Sequence, residues 1–270
     1  MVASAARAAR NAARVGDPLP RVDALADLYA EGVEFYRGAV TMLAGQPGAQ
    51  KSMFSLWLCT QLDVPTLYFS ADSDAATMTA RMASAITQTD SRTIRDEYKH
   101  DVRREWYADQ LAGSKVDFCF DSAPGVGDIG DELDAYVTLY GRYPEVIVID
   151  NLMDVYTDGE AEHVGMKSVL KDAKELARES GAAVFVLHHM TEAVGDPSTP
   201  SPRSALQGKV AQTPGLVLSL AVEGSIFKAA VVKNRFGKHS PAALDYVSLR
   251  TDPARATYTK AAWTPHRMGL

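Results

Sequence analysis

The sequence predicts an α/β protein: a mainly parallel sheet with helices on both faces, extended by antiparallel strands toward the C-terminus. Three observations predict it. Apolar β-type runs alternate with helical segments through most of the chain, as they do where parallel strands are joined by crossover helices. The last three runs, Leu216–Ala221, Lys228–Lys233 and Leu244–Leu249, follow one another with no helix between them, which suits antiparallel pairing. Residues 44–52 read Ala-Gly-Gln-Pro-Gly-Ala-Gln-Lys-Ser between an apolar run and a helical pattern. A strand, a glycine-containing turn and a Lys-Ser pair opening a helix are the layout of a phosphate-binding loop.

Thr41–Ala44 reads as the first strand and Thr66–Ser70 as the second, with a helical pattern from Met53 to Leu62 between them. Thr77–Ile86 and the more polar Ile94–Gln110 read as helices, Val116–Phe120 as a strand and Ile129–Tyr140 as a helix. Val146–Asp150 is apolar until its final acid, the pattern of a strand buried on both faces. Val164–Arg178 reads as a helix closed by Gly181, and Ala183–His188 as the next strand. Asp196–Arg203, rich in Pro and Ser, reads as a mobile loop.

With 270 residues, 46% hydrophobic and 23% charged, the chain can bury an ample core, and no composition break divides it. The expected organisation is an arm over residues 1–34 and one domain over 35–270. A net charge of −6 excludes a general polyanion-binding surface, so any nucleic-acid site must be local or assembled from several subunits. Cys59 and Cys119 read as buried thiols of a reducing compartment, without disulfide or metal-site spacing. No stretch approaches the length of a membrane span. Ala3–Arg14 is alanine-rich, carries Arg7, Arg10 and Arg14 and has no acid. It has the look of a mitochondrial presequence; the plainer reading is a frayed or partner-docked helix.

In the loop Gly45, Gln46, Pro47, Gly48, Ala49, Gln50, Lys51 and Ser52, backbone N–H groups would cradle phosphates, Lys51 would reach the β/γ-phosphates and the Ser52 hydroxyl would sit on Mg²⁺. One position departs from G-x-x-x-x-G-K-[ST]: Gln50 stands where the second glycine belongs. A side chain held in the left-handed conformation there costs about 1 kcal/mol or more. Asp150, at the tip of a buried strand, suits Mg²⁺ coordination beside such a loop. Phe69-Ser-Ala-Asp72-Ser-Asp74 follows the second strand; a carboxylate at that tip can orient or deprotonate an attacking water, or Asp72 or Asp74 can simply cap the next helix. His188 and His189 sit at another strand tip and point to opposite faces, so they do not ligate one metal together. One of them can sense a γ-phosphate or make a structural hydrogen bond. Lys233 and Arg235, two apart, project to one side of a late strand; they can neutralise charge on a transferring phosphoryl group or form a solvated basic strand end.

In order, these segments resemble the RecA-type ATPase family, nearest in look to the ATPase domain of DnaB-type hexameric replicative helicases, over roughly residues 35–260. Ala44 to Ser52 is similar to that family's phosphate loop, even to the proline. Phe69-Ser-Ala-Asp72 is similar to its Phe-Ser-Leu-Glu, which puts Asp72 at the catalytic glutamate with a reach shorter by one methylene. Ile149-Asp150-Asn-Leu matches the strand tip that holds Mg²⁺. Val186-Leu-His-His189-Met is similar to the strand that carries a sensor glutamine, here His189. Lys233-Asn-Arg235-Phe-Gly is similar to the Lys-x-Arg-x-Gly that acts on a neighbour's nucleotide.

The resemblance implies ATP and Mg²⁺ as cofactors and a homo-oligomer, with a hexameric ring favoured over a filament. It implies hydrolysis at subunit interfaces and single-stranded or branched DNA bound by two loops, Asp154–Gly165 and Thr191–Thr213. Arg203 and Lys209 on the second loop are the expected DNA contacts, because Asp158, Glu160 and Glu162 on the first would repel a phosphate backbone. A stand-alone core of this kind resembles phage- and plasmid-encoded helicases and recombination ATPases acting in the bacterial or phage-infected cytoplasm. Two further readings stay open: a nucleotide-gated regulatory module with weak hydrolysis, and Mg²⁺-dependent cleavage of DNA.

Overall fold

The computed structural model describes residues 16–155, 162–190 and 196–261. Among them, nine strands form one sheet in the order β3-β2-β4-β5-β1-β6-β7-β8-β9. The strands are β1 (Val40–Gly45), β2 (Thr66–Ser70), β3 (Val116–Cys119), β4 (Val146–Asp150), β5 (Ala183–His189), β6 (Leu216–Glu223), β7 (Ile226–Asn234), β8 (Val247–Asp252) and β9 (Thr257–Lys260). Pairing is parallel from β3 through β6 and antiparallel from β6 through β9. The predicted fold class is therefore the observed one. The sequence pattern stops one strand short, because β9 is a four-residue piece, Thr-Tyr-Thr-Lys, with too little apolar pattern to announce itself.

The helices are α1 (Ala26–Ala30), α2 (Lys51–Leu62), α3 (Ala75–Thr87), α4 (Ser91–Lys99), α5 (Arg104–Leu111), α6 (Val126–Tyr140) and α7 (Glu162–Ser180). They cover both faces because successive residues of a buried strand point to opposite sides. Leu43, Tyr68, Val146, Val148, Phe185 and Leu187 enter one core with Phe54 and Trp57 of α2 and Met78 of α3. Met42, Ala44, Phe69, Ile147, Ile149, Val184 and Val186 enter a second with Leu133 of α6 and Leu170 of α7. Each fully buried large side chain contributes about 1.5–3 kcal/mol of burial free energy.

Within the arm expected over 1–34, Leu19, Val22, Leu25, Leu28 and Val33 are buried in the same core as Leu43. Residues 1–15, with Arg7, Arg10 and Arg14, lie outside the described residues. The single helix expected over Ile94–Gln110 is two, broken where Asp101 and Arg103 take positive φ of 57° and 51°. Ile94 and Tyr107 are both fully buried against Ala80 and Ala83 of α3. On a straight helix, residues thirteen apart lie ~140° around the axis, so one of the pair would face water. The break lets both reach α3. The segment expected to be a mobile loop is packed at its far end, where Pro200 and Ser201 are buried.

Candidate active site

β1, β2, β4 and β5 run parallel, so their C-terminal tips converge at one end of the sheet, where ligands of such folds gather. The turn after β1 begins with Gly45, and a Cβ there would meet the Leu220 carbonyl oxygen at 2.7 Å and the Ala49 Cβ at 2.8 Å. Only glycine fits that approach. Gly48 has φ of +81°. Gln50 caps α2 in the left-handed conformation, φ 58°, ψ 28°, so the loop keeps the geometry that a glycine would give. The first N–H groups of α2 have no partner within the helix and open toward the turn.

Lys51 is buried, and its ammonium donates to the carbonyl oxygens of Gly45 (3.0 Å) and Gln46 (3.2 Å) and lies 3.3 Å from His189 Nδ1. Burial lowers its pKa to about 8, against the opposing pull of Asp150 and Asp72. The ammonium thus sits in the mouth of the turn, on groups it can exchange for phosphate oxygens. The Ser52 hydroxyl donates to Asp150 Oδ1 at 3.0 Å, and the Tyr68 hydroxyl donates to Asp150 Oδ2 at 2.8 Å. Ser55 Oγ lies 2.7 Å from Tyr68 Oη and completes the network. Burial raises the Asp150 carboxyl to about 6; its hydrogen bonds to Ser52 and Tyr68 pull it back down. The Asp150–Asn151 peptide is cis.

The two carboxylates after β2 separate cleanly. Asp74 caps α3, accepting from the Thr77 N–H at 2.7 Å. Asp72 is exposed and near enough to Lys51, Asp150 and Asp154 to affect the titration of each. The β2 tip is tied to the β4 tip by the Ala71 N–H donating to the Asp150 carbonyl at 2.9 Å. The two histidines separate as well. His189 faces Lys51, whereas His188 is fully buried with Nε2 3.1 Å from the Gln207 carbonyl. That carbonyl only accepts, so Nε2 carries the proton and Nδ1 does not; burial holds the ring neutral with a pKa of about 4.

The structure brings together Gly45 to Ser52, Asp72, Asp150 and His189, and it places Lys233 and Arg235 elsewhere. β7 is antiparallel to β6, so Asn234 pairs with Leu216 at the opposite end of the sheet from Gly45, which pairs with Leu220. Four strand residues separate those levels, ~13 Å. The Lys233 ammonium donates to the carbonyl oxygens of Ala211 (2.7 Å), Gln212 (2.9 Å) and Pro214 (2.6 Å) of its own chain. Arg235 is exposed and spends one bond on Gln212 O, at 3.0 Å. Burial and the neighbouring Arg235 and Arg203 lower the Lys233 pKa to about 8. Arg203, read as a DNA contact, therefore belongs to the same cationic group. The Lys209 side chain and residues 156–161, with Asp158 and Glu160, lie outside the described residues, as does the Glu162 side chain.

Sequence reasoning missed Tyr68, Ser55, Ser201, Thr251 and Tyr258. Tyr68 had a signal, a polar-tipped ring inside an otherwise apolar strand. The Ser201 hydroxyl accepts from Gln46 Nε2 at 3.4 Å, and nothing local marks it.

A glycine-shaped turn, a buried lysine in its mouth and a Ser–Asp pair beside it are the parts of a P-loop nucleotide-binding domain. The chain belongs to the family described as AAA domain, which matches residues 27–193. It is 35% identical over 246 residues to the Gene 65 protein of Mycobacterium phage L5, covering 87% of this chain and 90% of that one. It is 33% identical over 222 residues to the Gene 65 protein of Mycobacterium phage D29, covering 78% and 94%. Among solved structures, an isolated ATPase domain aligns with a TM-score of 0.76 at 14% identity, covering 94% of this chain and 95% of that one. A DnaB-like replicative helicase, solved for its interactions with primase, aligns with a TM-score of 0.75 at 14% identity. The match covers 91% of this chain and 63% of the helicase chain, so the present chain spans less than two thirds of it. At that identity the two structures establish a shared fold. Among the described residues, no helix is long and apolar enough to cross a membrane.

Proposed function

We propose that this protein is a helicase-like ATPase that acts on DNA, binds single-stranded DNA and hydrolyses ATP at interfaces between copies of itself, with a hexameric ring as the favoured assembly. The observation that carries the reading is the convergence of Lys51, Ser52, Asp150, Asp72 and His189 at the tips of four strands. The donor set fits MgATP. Lys51 is a cation already placed among oxygen acceptors, and Ser52 and Asp150 are the hard oxygen ligands that Mg²⁺ prefers. Bound Mg²⁺ would neutralise charge building on the phosphates. Asp72 would accept the proton of the attacking water, and its exposure leaves room for that water. His189 would report on the γ-phosphate through Lys51.

The trans arrangement has a geometric support. Lys233 and Arg235 lie ~13 Å down the sheet from their own loop, beyond the reach of either side chain. If they meet a nucleotide, it is another copy's. Lys233 already holds three carbonyls, so Arg235, with most of its donors uncommitted, is the group offered outward, and Lys233 fixes the segment beneath it. Arg203 and Lys209 would carry the contacts to a DNA backbone, and the Gene 65 relatives support action in the phage-infected cell.

ATP turnover measured over a range of protein concentrations, with and without single-stranded DNA, tests the reading. Turnover per chain should rise with concentration and rise again with DNA. No turnover under any of these conditions refutes the ATPase. Turnover indifferent to concentration refutes the shared site.

A further inference from the structure

Gln50 departs from the pattern that defines the loop, and its side chain has a destination. Its Oε1 accepts from the Thr251 hydroxyl at 2.9 Å and the Tyr258 hydroxyl at 3.0 Å. Thr251 and Tyr258 are each 2% exposed and are directly paired across β8 and β9, so both project to the same face of the hairpin. The two hydroxyls form a fork that closes on one amide oxygen. The fork is itself fixed. The Tyr258 ring packs against Phe54 and Trp57 of α2, the helix that the loop opens, and against Phe227 of β7. The turn between β8 and β9 is fastened to the far end of α3 and the start of α4. Ala254 O accepts from Ser91 N at 2.8 Å and from Ser84 Oγ at 3.1 Å, and Arg255 Nε donates to Gln88 O at 3.1 Å.

We propose that Gln50 is a positioning residue for the phosphate loop, clamped by Thr251 and Tyr258, so that the β8–β9 hairpin is a working part of the nucleotide site. This rests on the reading of that loop as a nucleotide site. A glycine in this place satisfies the left-handed turn by having no preference, and leaves the unliganded loop free to leave it. Gln50 satisfies the same turn by being held there from outside. The N–H groups of Gln50, Lys51 and Ser52 are then aimed before ligand arrives, and the ordering cost of binding falls. A shift of an ångström at Gln50 would carry those donors out of hydrogen-bonding range.

The test is a titration of the full-length protein with a non-hydrolysable ATP analogue and Mg²⁺, alongside thermal melting. Four proteins are compared: the wild type, Thr251→Val/Tyr258→Phe, Gln50→Gly, and all three changes together. Removing the two hydroxyls should weaken binding about tenfold in the wild-type background, the scale of one or two net hydrogen bonds. It should weaken binding less than about twofold where Gln50→Gly has already removed the amide they hold. Thr251→Ser, which keeps a hydroxyl, should bind as the wild type does. An equal loss in both backgrounds, tracking the melting temperature, overturns the clamp in favour of general hairpin stability; no loss in either also overturns it. A wild-type protein that binds no analogue refutes the nucleotide site itself, whereas binding without coupling refutes only the clamp. Should the double substitution fail to fold, Tyr258→Phe alone keeps the ring packing and carries the comparison.

Discussion

The two ends of the sheet each hold a lysine against backbone carbonyl oxygens, and they are built in opposite ways. Lys51 is buried in a turn formed by its own chain, with Asp150 and Asp72 close enough to oppose part of the loss of water. Lys233 has its pKa lowered to a similar value, about 8, but by burial together with other cations, Arg235 and Arg203. The first end holds opposite charges together within one chain. The second gathers like charges at a surface, an arrangement that gains only when an anion arrives from elsewhere.

Lys51→Ala is the harshest break of the first end. It should lower ATP turnover by ~10³-fold or more, since it removes the buried cation aimed at the developing charge. Unchanged turnover in a steady-state assay would remove the phosphate-loop assignment. Arg235→Ala should break the second end, with a loss of ~10³-fold in turnover and little change in ATP affinity. Mixing that variant with Lys51→Ala should restore part of the activity, because each supplies the half that the other lacks; recovery at no mixing ratio would show that the ends are not shared between copies.

The pH dependence sharpens the contrast. Asp150 has its carboxyl raised to about 6 from 3.8, so folding favours the protonated form. Its contribution to the stability of the ligand-free protein is fully present below pH 3.8 and is lost as pH rises through about 6. Magnesium needs the ionised form, so Mg²⁺ affinity should fall as pH drops through the same window. Asp150→Asn should raise the melting temperature of the ligand-free protein at pH ~7.5, above both values, and abolish Mg²⁺-dependent binding; equal melting temperatures would refute the burial cost assigned to that carboxylate. The smallest expected effect is Arg203→Ala. Fluorescence titration should show single-stranded DNA binding weakened severalfold, with the slope of log affinity against log salt reduced by about 0.7. An unaltered slope would assign Arg203 to the Lys233–Arg235 group alone.

Much of this is legible along the chain. Val146–Asp150 and Thr66–Ser70 can be read to the residue, because a strand buried on both faces leaves an unbroken apolar run and stops where a polar tip emerges. The phosphate loop is legible through Gly45, Gly48 and Lys51, whose demands are local. The bend between α4 and α5 is not, because its cause is Tyr107 and Ile94 seeking the same surface of α3. The choice between Asp72 and Asp74 is even in the sequence, and is made in the fold by one cap on Thr77.

The sequence by itself determined the strands β1 to β7, the phosphate-loop turn and the acid at the tip of β4. Each follows from periodicity or from the backbone freedom of a few neighbouring residues. Only the tertiary structure decided why Gln50 is tolerated, which carboxylate faces the site, and that Lys233 and Arg235 stand at the far end from Lys51. Those outcomes depend on residues up to 208 positions apart brought into contact, as Gln50 and Tyr258 are. No local pattern encodes such a meeting; the closing of the sheet does.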